Sequence, residues 1–277
     1  MFRARLAVVA IVKNEGACIF EWLAHHAALG VERFFLYDNG SSDDTRAEIA
    51  AFPGPARIDV IDWPMPQGQL PAYSDALARF GHASRWMAFI DADEFLIPMR
   101  GERLPAILED FAAYGGLAVP FTIFGSSGFD RRPEGLVLEN YRHRAPDGFV
   151  VNGYLKCIVR PERMTARVTT PHLLHPRPGH AIVLETGRAV APRTGGLLDP
   201  PFTAQRLRLH HYVVKSREDF ALKRSRGLVA PADPRDDAFF RGHDRNEVPD
   251  DTALPFTAAV REAIARRGTR VRRRLFR

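Results

Sequence analysis

Three carboxylate residues, Asp91, Asp93 and Glu94, directly follow the apolar segment 86–90. That segment predicts a strand buried on both faces, as in a parallel sheet. Such a strand brings its terminal carboxylates to the carboxyl edge of the sheet, where open α/β folds bind ligands. In an extended segment the side chains of Asp91 and Asp93 point to the same side of the backbone. Two carboxylate oxygen donors placed there suit Mg²⁺ or Mn²⁺. The alternative is a simple acidic turn, because Asp is common in turns.

Strands and helices alternate before this segment. Strands are predicted at residues 6–12, 31–37, 57–62 and 86–90, with helices at 19–29, near 45–52 and at 69–80 between them. This alternation indicates a parallel sheet covered by helices over residues 1 to about 97. Polar residues also follow the first two strands, at Asn14-Glu15 and Asp38-Asn39. Three polar strand ends on one edge favour a ligand crevice over three unrelated turns.

The second part of the chain is less regular. A helix is predicted at 104–114, followed by strands at 117–121, 155–161 and 206–214. Ser216 is expected to cap a helix that runs toward Gly227, and a last helix is expected at 256–267.

Composition indicates an ordinary globular protein, with 277 residues that are 45% hydrophobic and 26% charged. No run approaches the ~20 apolar residues needed to span a bilayer. Residues 1–12 resemble a signal peptide, but the apolar run is short and lacks a cleavage site, so a first strand is predicted. Cys18 and Cys157 give neither a disulfide framework nor a metal-binding spacing. We expect a cytoplasmic protein.

The net charge of +6 is concentrated in a basic tail, residues 266–277. Two interpretations stay open: a solvated chain end, or peripheral contact with anionic lipid at the inner membrane face. Nucleic acid is not expected as a partner, because nothing upstream resembles a base-reading module.

Taken together, ordered sequence blocks resemble glycosyltransferases of the GT-A fold, in the family-2-like group that includes the family 92 (DUF23-type) enzymes. Each block is weak alone, but their order and spacing are specific, and they extend from residue 12 to about 227. The blocks are residues 12–15, 21–26, 37–43, 86–96, 124–128, 156–161 and 211–216.

The resemblance implies an α/β fold with a mostly parallel, Rossmann-like GT-A sheet flanked by helices. Residues 1–229 would form the glycosyltransferase domain, with a nucleotide-sugar half (1–97) and an acceptor half (98–229). Residues 230–277 would form a C-terminal helical extension. The implied reaction is inverting transfer from a UDP- or GDP-sugar to a hydroxyl of a glycan or lipid-linked glycan. Mn²⁺ or Mg²⁺ would neutralise the charge of the leaving diphosphate.

The resemblance also implies roles for individual residues. The metal ligands would be Asp91, Asp93 and His211. The nucleotide-sugar ligands would be Asn14, Glu15, Asp38, Asn39, Gln69, Asp91 and Lys215, and Arg160 is a further candidate for the diphosphate.

Two assignments stay open. His210 and His172 are alternatives to His211, as is a site without histidine; His210 points to the opposite face of the predicted strand. Inverting transfer needs a carboxylate base near the acceptor hydroxyl. Asp130 is the first choice and Glu94 the second, with Asp147 and Glu185 as further alternatives.

Two other functions compete with this one. A catalytically silent nucleotide-sugar binding protein is disfavoured, because a buried acidic cluster without a metal is costly. A sugar nucleotidyltransferase would need a Gly-rich, basic phosphate loop after the first strand, where this chain has Lys13-Asn14-Glu15-Gly16.

Overall fold

The computed structural model describes residues 3–190, 196–200, 204–226 and 235–275. Its strands are β1 (Ala4–Val12), β2 (Arg33–Asp38), β3 (Arg57–Asp62), β4 (Ser84–Phe89), β5 (Glu94–Pro98), β6 (Gly116–Ile123), β7 (His143–Arg144), β8 (Leu155–Val159), β9 (Ile182–Val183), β10 (Leu207–His211) and β11 (Val248–Pro249). Its helices are α1 (Ile19–Ala28), α2 (Thr45–Ala50), α3 (Gln69–Phe80), α4 (Leu104–Glu109), α5 (Val137–Asn140), α6 (Arg217–Ser225), α7 (Asp237–His243) and α8 (Thr257–Leu275).

One large sheet runs through the described part of the chain, in the order β3-β2-β1-β4-β8-β6-β10-β5, with β9 beside β6. Its first half, β3-β2-β1-β4, is entirely parallel. The second half is mixed, because β8 is antiparallel to β4 and β6, and β5 is antiparallel to β10. The predicted α/β architecture is confirmed, and the sheet is purely parallel only in its first half, since β6 pairs in parallel with β9 and β10 but antiparallel with β8.

Helices cover both faces of the parallel half. β1 is buried along almost its whole length, as expected for a central strand of a two-sided sheet. Trp22 and Leu23 of α1 pack on one face, and Ala72 and Tyr73 of α3 pack on the other. Each large apolar side chain buried in this way contributes about 1.5–3 kcal/mol. This packing fixes the position of the strands relative to the helices, and with it the position of the polar residues at the strand ends.

Several predicted boundaries need correction. β3 and α3 have the predicted bounds, but α4 ends at Glu109, well before residue 114. The N-cap of α2 is Asp44, and the carboxylate of the preceding Asp43 accepts the backbone N–H of Thr45 and of Gly16. The strand β5 was not predicted, because its pairing with β10 joins segments more than a hundred residues apart.

The expectation that Asp91 and Asp93 belong to an extended segment was wrong. The chain reverses between β4 and β5 in a turn, in which the N–H of Glu94 donates to the carbonyl of Asp91 over 3.1 Å. We call residues 91–94 the acidic turn. Since β5 must return antiparallel to β10, the chain has to change direction here, and turns accommodate Asp readily.

The last helix, α8, lies against α1 in the first half of the chain. Val260 is fully buried there and packs with Phe20 and Ala24, and Arg267 forms an ion pair with Glu48. Among the described helices, none is both long enough and apolar enough to cross a bilayer. The predicted boundary at 229/230 and the side chains of residues 268–277 lie outside the described part, so the two-part division and the basic tail stay predictions.

Candidate active site

Side chains of helix α1 hold the acidic turn in place through hydrogen bonds to its backbone and to the start of β5. The indole Nε1–H of Trp22 donates to the carbonyl of Glu94 over 2.8 Å. His25 donates through Nε2 to the carbonyl of Leu96 over 2.8 Å, and Nε2 of His26 accepts the N–H of the same residue over 3.3 Å. These side chains are buried, so they serve to position the turn and its first β5 residues.

Asp91 is surrounded by hydrogen-bond donors. Its Oδ1 accepts from Gln69 Nε2 over 2.8 Å and from Tyr73 Oη over 3.0 Å. Its Oδ2 accepts from Lys156 Nζ over 2.9 Å. Burial alone would raise the pKa of Asp91, but the ammonium of Lys156 lowers it below its ordinary value. Asp91 is therefore an anion whose two oxygens both have protein partners.

Asp93 lies between a lysine and a histidine. Its Oδ2 contacts Lys223 Nζ of α6, and its Oδ1 is 3.7 Å from Nε2 of His211. Burial would raise the pKa of Asp93, but Lys223 and His211 lower it well below its ordinary value. Burial lowers the pKa of His211, which favours the neutral ring. A charged carboxylate and a neutral imidazole are the forms in which these groups bind metal ions.

Asp93 and His211 could supply two ligands of a divalent cation, which is only part of the set that such an ion needs. Within the described residues, no group of three or more His, Cys, Asp or Glu side chains could hold an ion, and Asp91 is already engaged. Nδ1 of His211 is buried without a hydrogen-bond partner in the described structure. Mg²⁺ and Mn²⁺ often take one or two protein ligands and complete their shell with phosphate oxygens and water. The two residues fit such an ion when a diphosphate supplies the other ligands.

Glu94 lies beneath the other two acids and is fully buried. Its Oε2 accepts the backbone N–H of Asp91 over 2.8 Å, and its Oε1 lies 3.7 Å from Lys156 Nζ and 3.9 Å from His211 Nδ1. Burial raises the pKa of Glu94 well above its ordinary value, against the attraction of Lys156. The neutral form of this carboxyl group is therefore favoured.

The ends of β1 and β2 bring four more predicted residues to the same edge. Asn14 adopts a left-handed backbone conformation, with φ 52°, and its Oδ1 accepts the N–H of Ser42. Glu15 pairs with Arg226, the residue that follows α6, at 2.5 Å. The β2 residue Asp38 is almost fully buried and pairs with Arg46 at 2.5 Å.

Asn39 donates from Nδ2 to the carbonyls of Trp63 and Met65 over 2.7 and 2.8 Å. These two hydrogen bonds fix the backbone of residues 63–65, which lead from β3 toward α3. Because β1, β2 and β4 are parallel neighbours, these polar strand ends share one edge of the sheet.

A cavity of about 240 Å³ opens between this edge and α6. Asn14, Glu15 and Asp93 line it from the sheet side, and Lys215, Lys223 and Arg226 are among the residues that line it from the α6 side. A cavity that combines cations with hydrogen-bonding groups at the carboxyl edge of a parallel sheet suits a phosphate-bearing ligand.

A larger cavity of about 440 Å³ lies between α1, α8 and residues 52–55. Its lining is mostly small and apolar, and the acidic turn does not contribute to it. We place the candidate site in the smaller cavity, because there Asp93 of the acidic turn lines the same space as Lys215, Lys223 and Arg226.

Lys215 lines the smaller cavity together with Glu15. It is buried, its backbone is left-handed at φ 54°, and its Nζ donates to Cys18 Sγ over 3.3 Å. The thiol is neutral, because burial raises the pKa of Cys18. A non-glycine residue with this backbone conformation is uncommon and is often found where function demands it.

Sequence reasoning missed three cations of this site: Lys156, Lys223 and Arg226. The chain contains only four lysines, Lys13, Lys156, Lys215 and Lys223, among 39 basic residues. Three of the four are buried in or beside the site. Lys156 stands within the apolar run 155–159, and a lysine in such a strand is a signal that could have identified it.

The structure does not bring the candidate bases to the cavity, and the cavity lining also lacks Asp38, Asn39, Gln69, Asp91 and His211. Asp130, the first-choice catalytic base, is exposed and faces Arg217 at 3.3 Å. Asp147 is exposed and pairs with Arg144, while Glu185 accepts backbone N–H groups of residues 205 and 206. The role of Asp130 therefore stays a prediction.

The alternative histidines and Arg160 also have other partners. His210 faces away from the acidic turn and contacts Tyr212 and Thr252. His172 bonds the carbonyl of Leu155, and Arg160 bonds Glu162 and the carbonyl of residue 112.

A parallel half-sheet with an acidic turn at its carboxyl edge, continued by a mixed half, defines the GT-A class of α/β proteins. Within it, the chain belongs to glycosyltransferase family 92, whose family model matches residues 11–180. The match includes the acidic turn and Lys156, while His211, Lys215 and Lys223 lie beyond its end. The resemblance drawn from the sequence is confirmed, and the chain is related to transferase enzymes.

Individual relatives agree with this assignment. A glycosyltransferase family 92 protein of Oryza sativa subsp. japonica is 29% identical over 182 residues, which cover 63% of this chain and 30% of that protein. One of Ricinus communis is 28% identical over 184 residues, which cover 64% of this chain and 33% of that protein. The chain thus spans about a third of the length of the curated relatives it matches.

Among solved structures, glucosyl-3-phosphoglycerate synthase from Mycobacterium tuberculosis, in complex with Mn²⁺, UDP and glucosyl-3-phosphoglycerate, is similar over 41% of this chain and 43% of its own. The identity is 21% and the TM-score 0.29. This likeness concerns the fold alone.

Proposed function

We propose that this chain is a metal-dependent, inverting glycosyltransferase that moves a sugar from a UDP- or GDP-sugar to a hydroxyl of a glycan or lipid-linked glycan. One observation carries the proposal: Asp93 of the acidic turn lies on the wall of a cavity that Lys215, Lys223 and Arg226 also line. Family membership supports transfer of a sugar, while the donor, the acceptor and inversion are expectations drawn from the resemblance.

The nucleotide is proposed to lie along the ends of β1 and β2. Asn14, Glu15, Asp38 and Asn39 would form this part of the pocket. Asp91, already held by Gln69 and Tyr73, would accept a ribose hydroxyl. Since its two oxygens have fixed donors, Asp91 enters the reaction oriented in advance, which is how a positioned anion contributes most.

The diphosphate is proposed to lie between Asp93 and the cations of the cavity. Mn²⁺ or Mg²⁺, when bound, would supply a positive charge that neutralises the departing diphosphate. Asp93 and His211 are the residues that would hold it, while Lys215 would contribute a second positive charge from the lining of the same cavity. Two sources of positive charge around one leaving group lower the barrier because its charge grows in the transition state.

For the proton of the acceptor hydroxyl, Asp130 stays the first candidate. Glu94 is enclosed and favours its neutral form, so its proposed part is to hold the acidic turn through the N–H of Asp91. A cytoplasmic location and contact of residues 266–277 with anionic lipid are proposed from the sequence alone.

A panel of nucleotide-sugars with Mn²⁺, scored for binding and for slow hydrolysis, tests the proposal. A glycosyltransferase releases a nucleoside diphosphate, a nucleotidyltransferase forms or consumes pyrophosphate, and a silent binding protein gives neither. The variant Asp93→Asn should retain its fold and lose at least a hundredfold in hydrolysis, because one charged ligand of the transition state is gone. Unchanged hydrolysis in this variant at saturating Mn²⁺ would remove Asp93 from the site.

A further inference from the structure

Asp93 forms a buried ion pair with Lys223. Nζ of Lys223 contacts Oδ2 of Asp93 and donates to the carbonyl of Val213 over 2.8 Å. Both side chains are about 8% exposed, so solvent screens their attraction only slightly. The carboxylate proposed to bind a divalent cation is therefore already neutralised by an ammonium group.

Lys223 and a divalent cation compete for the same carboxylate. Asp93 is a single negative charge, with one oxygen on Lys223 and the other facing His211. A doubly charged ion at Asp93 and His211 would lie beside the ammonium, in a place where like charges are poorly screened. Binding of the ion must therefore either displace Lys223 or proceed against its charge.

The cavity offers Lys223 a second place. Lys223 and Arg226 are three residues apart at the end of α6, so they share one face of the helix. Arg226 is fixed by Glu15 and by the carbonyls of Lys13 and Asn14. Lys215 lines the same cavity. A diphosphate in this cavity would present acceptors to Lys223 at the moment when Asp93 exchanges its partner.

We propose that Lys223 is an exchangeable counter-ion: it holds Asp93 in the donor-free chain and transfers to the diphosphate of the donor when a divalent cation binds Asp93. The inference rests on the proposed function for the identity of the diphosphate, but not for the competition at Asp93. It has two consequences. The cation alone binds weakly, and a nucleoside diphosphate loses affinity when Lys223 loses its charge.

The test is Mn²⁺ binding without nucleotide, measured by the electron paramagnetic resonance signal of free Mn²⁺. The variant Lys223→Gln removes the charge and retains an amide that can bond Asp93 and the carbonyl of Val213. We expect it to bind Mn²⁺ at least tenfold more tightly than the unaltered chain. Arg224→Gln is the matched control, since it removes an exposed positive charge from the same helix; its Mn²⁺ affinity should stay within twofold.

A second arm measures UDP and GDP binding at Mn²⁺ concentrations that saturate each variant, because Lys223 is proposed to contact the diphosphate only when the ion occupies Asp93. Lys223→Gln should weaken whichever nucleotide binds by at least fivefold, and Arg224→Gln should not. Lys223→Arg, which keeps the charge, should behave like the unaltered chain in the Mn²⁺ arm; melting temperatures verify that each variant is folded. An Mn²⁺ affinity that is unchanged or lower in folded Lys223→Gln overturns the inference, as does unchanged nucleotide affinity.

These outcomes separate the inference from the proposed function. If hydrolysis of a nucleotide-sugar is found but Lys223→Gln leaves Mn²⁺ affinity unchanged, only the counter-ion exchange is refuted. If no nucleotide-sugar or nucleoside diphosphate is bound, while Lys223→Gln still gains Mn²⁺ affinity, the competition at Asp93 holds and the assignment of the donor fails.

Discussion

Replacing Lys156 by Met should destabilise the protein severely. Its side chain is 2% exposed, and its ammonium lies 2.9 Å from Asp91 Oδ2 and 3.7 Å from Glu94 Oε1. Breaking a buried ion pair costs about 3–5 kcal/mol, because the partner is left as an uncompensated charge. Asp91 is 31% exposed at its side chain and Glu94 favours its neutral form, so we expect the lower end, about 3 kcal/mol.

Urea unfolding at pH 7, followed by tryptophan fluorescence, measures this cost. The double variant Lys156→Met/Asp91→Asn removes both charges, so it should be destabilised by about 1–2 kcal/mol less than the sum of the single variants, as for contacting residues. Lys13→Met is the control, because Lys13 is only partly buried, and should change stability by less than about 0.5 kcal/mol. A cost below about 1 kcal/mol for Lys156→Met, or full additivity in the double variant, would refute the view that Lys156 neutralises Asp91.

Three further predictions concern α1, β2 and the chain end. Burial raises the pKa of Glu21 to about 7. The protonated side chain therefore contributes to the free energy of unfolding below about pH 4.5, and this contribution is lost as the pH rises through 7. Glu21→Gln should remove up to about 3 kcal/mol of this pH dependence, and equal slopes for both proteins between pH 5 and 8 would contradict it. Asp38→Ala should weaken nucleoside diphosphate binding by about 1–3 kcal/mol, the range for losing a buried hydrogen-bond partner; equal affinity by calorimetry would make Asp38 a turn residue only. A chain ending at Arg267, which keeps the ion pair with Glu48, should still hydrolyse nucleotide-sugar and lose sedimentation with anionic liposomes at low salt, whereas equal sedimentation with and without the tail would exclude it as an anchor.

The first half of the fold is readable from the sequence because its signals are local. The apolar runs of β1, β2 and β4, and the helical spacing of Leu70, Tyr73 and Leu77 in α3, each lie within about a dozen residues. Their alternation then predicts a parallel sheet, because parallel neighbours need crossover connections that are usually helical. The polar strand ends follow from that sheet without further information.

The second half could not be read in the same way. β5 is recognisable only through its pairing with β10, and this pairing turns residues 91–94 into a reversal. The positions of Lys223 and Arg226 depend on how α6 packs over the cavity, which has no local signature. Asp130 was chosen from its place after a small-residue loop; the structure shows it at the surface beside Arg217, and its role as the base stays a prediction.

Because the chain contains only four lysines, lysine side chains can be observed individually by nuclear magnetic resonance. Selective ¹³C labelling at lysine Cε would give four side-chain resonances, and three of them, from Lys156, Lys215 and Lys223, report from within or beside the candidate site. Chemical shifts at Cε respond to the charge of the neighbouring nitrogen. Addition of Mn²⁺, which broadens nearby resonances, would order the three by proximity to the ion, with Lys13 as an internal reference outside the buried set. The composition of the chain thus makes the charge state of its own site visible without any mutation.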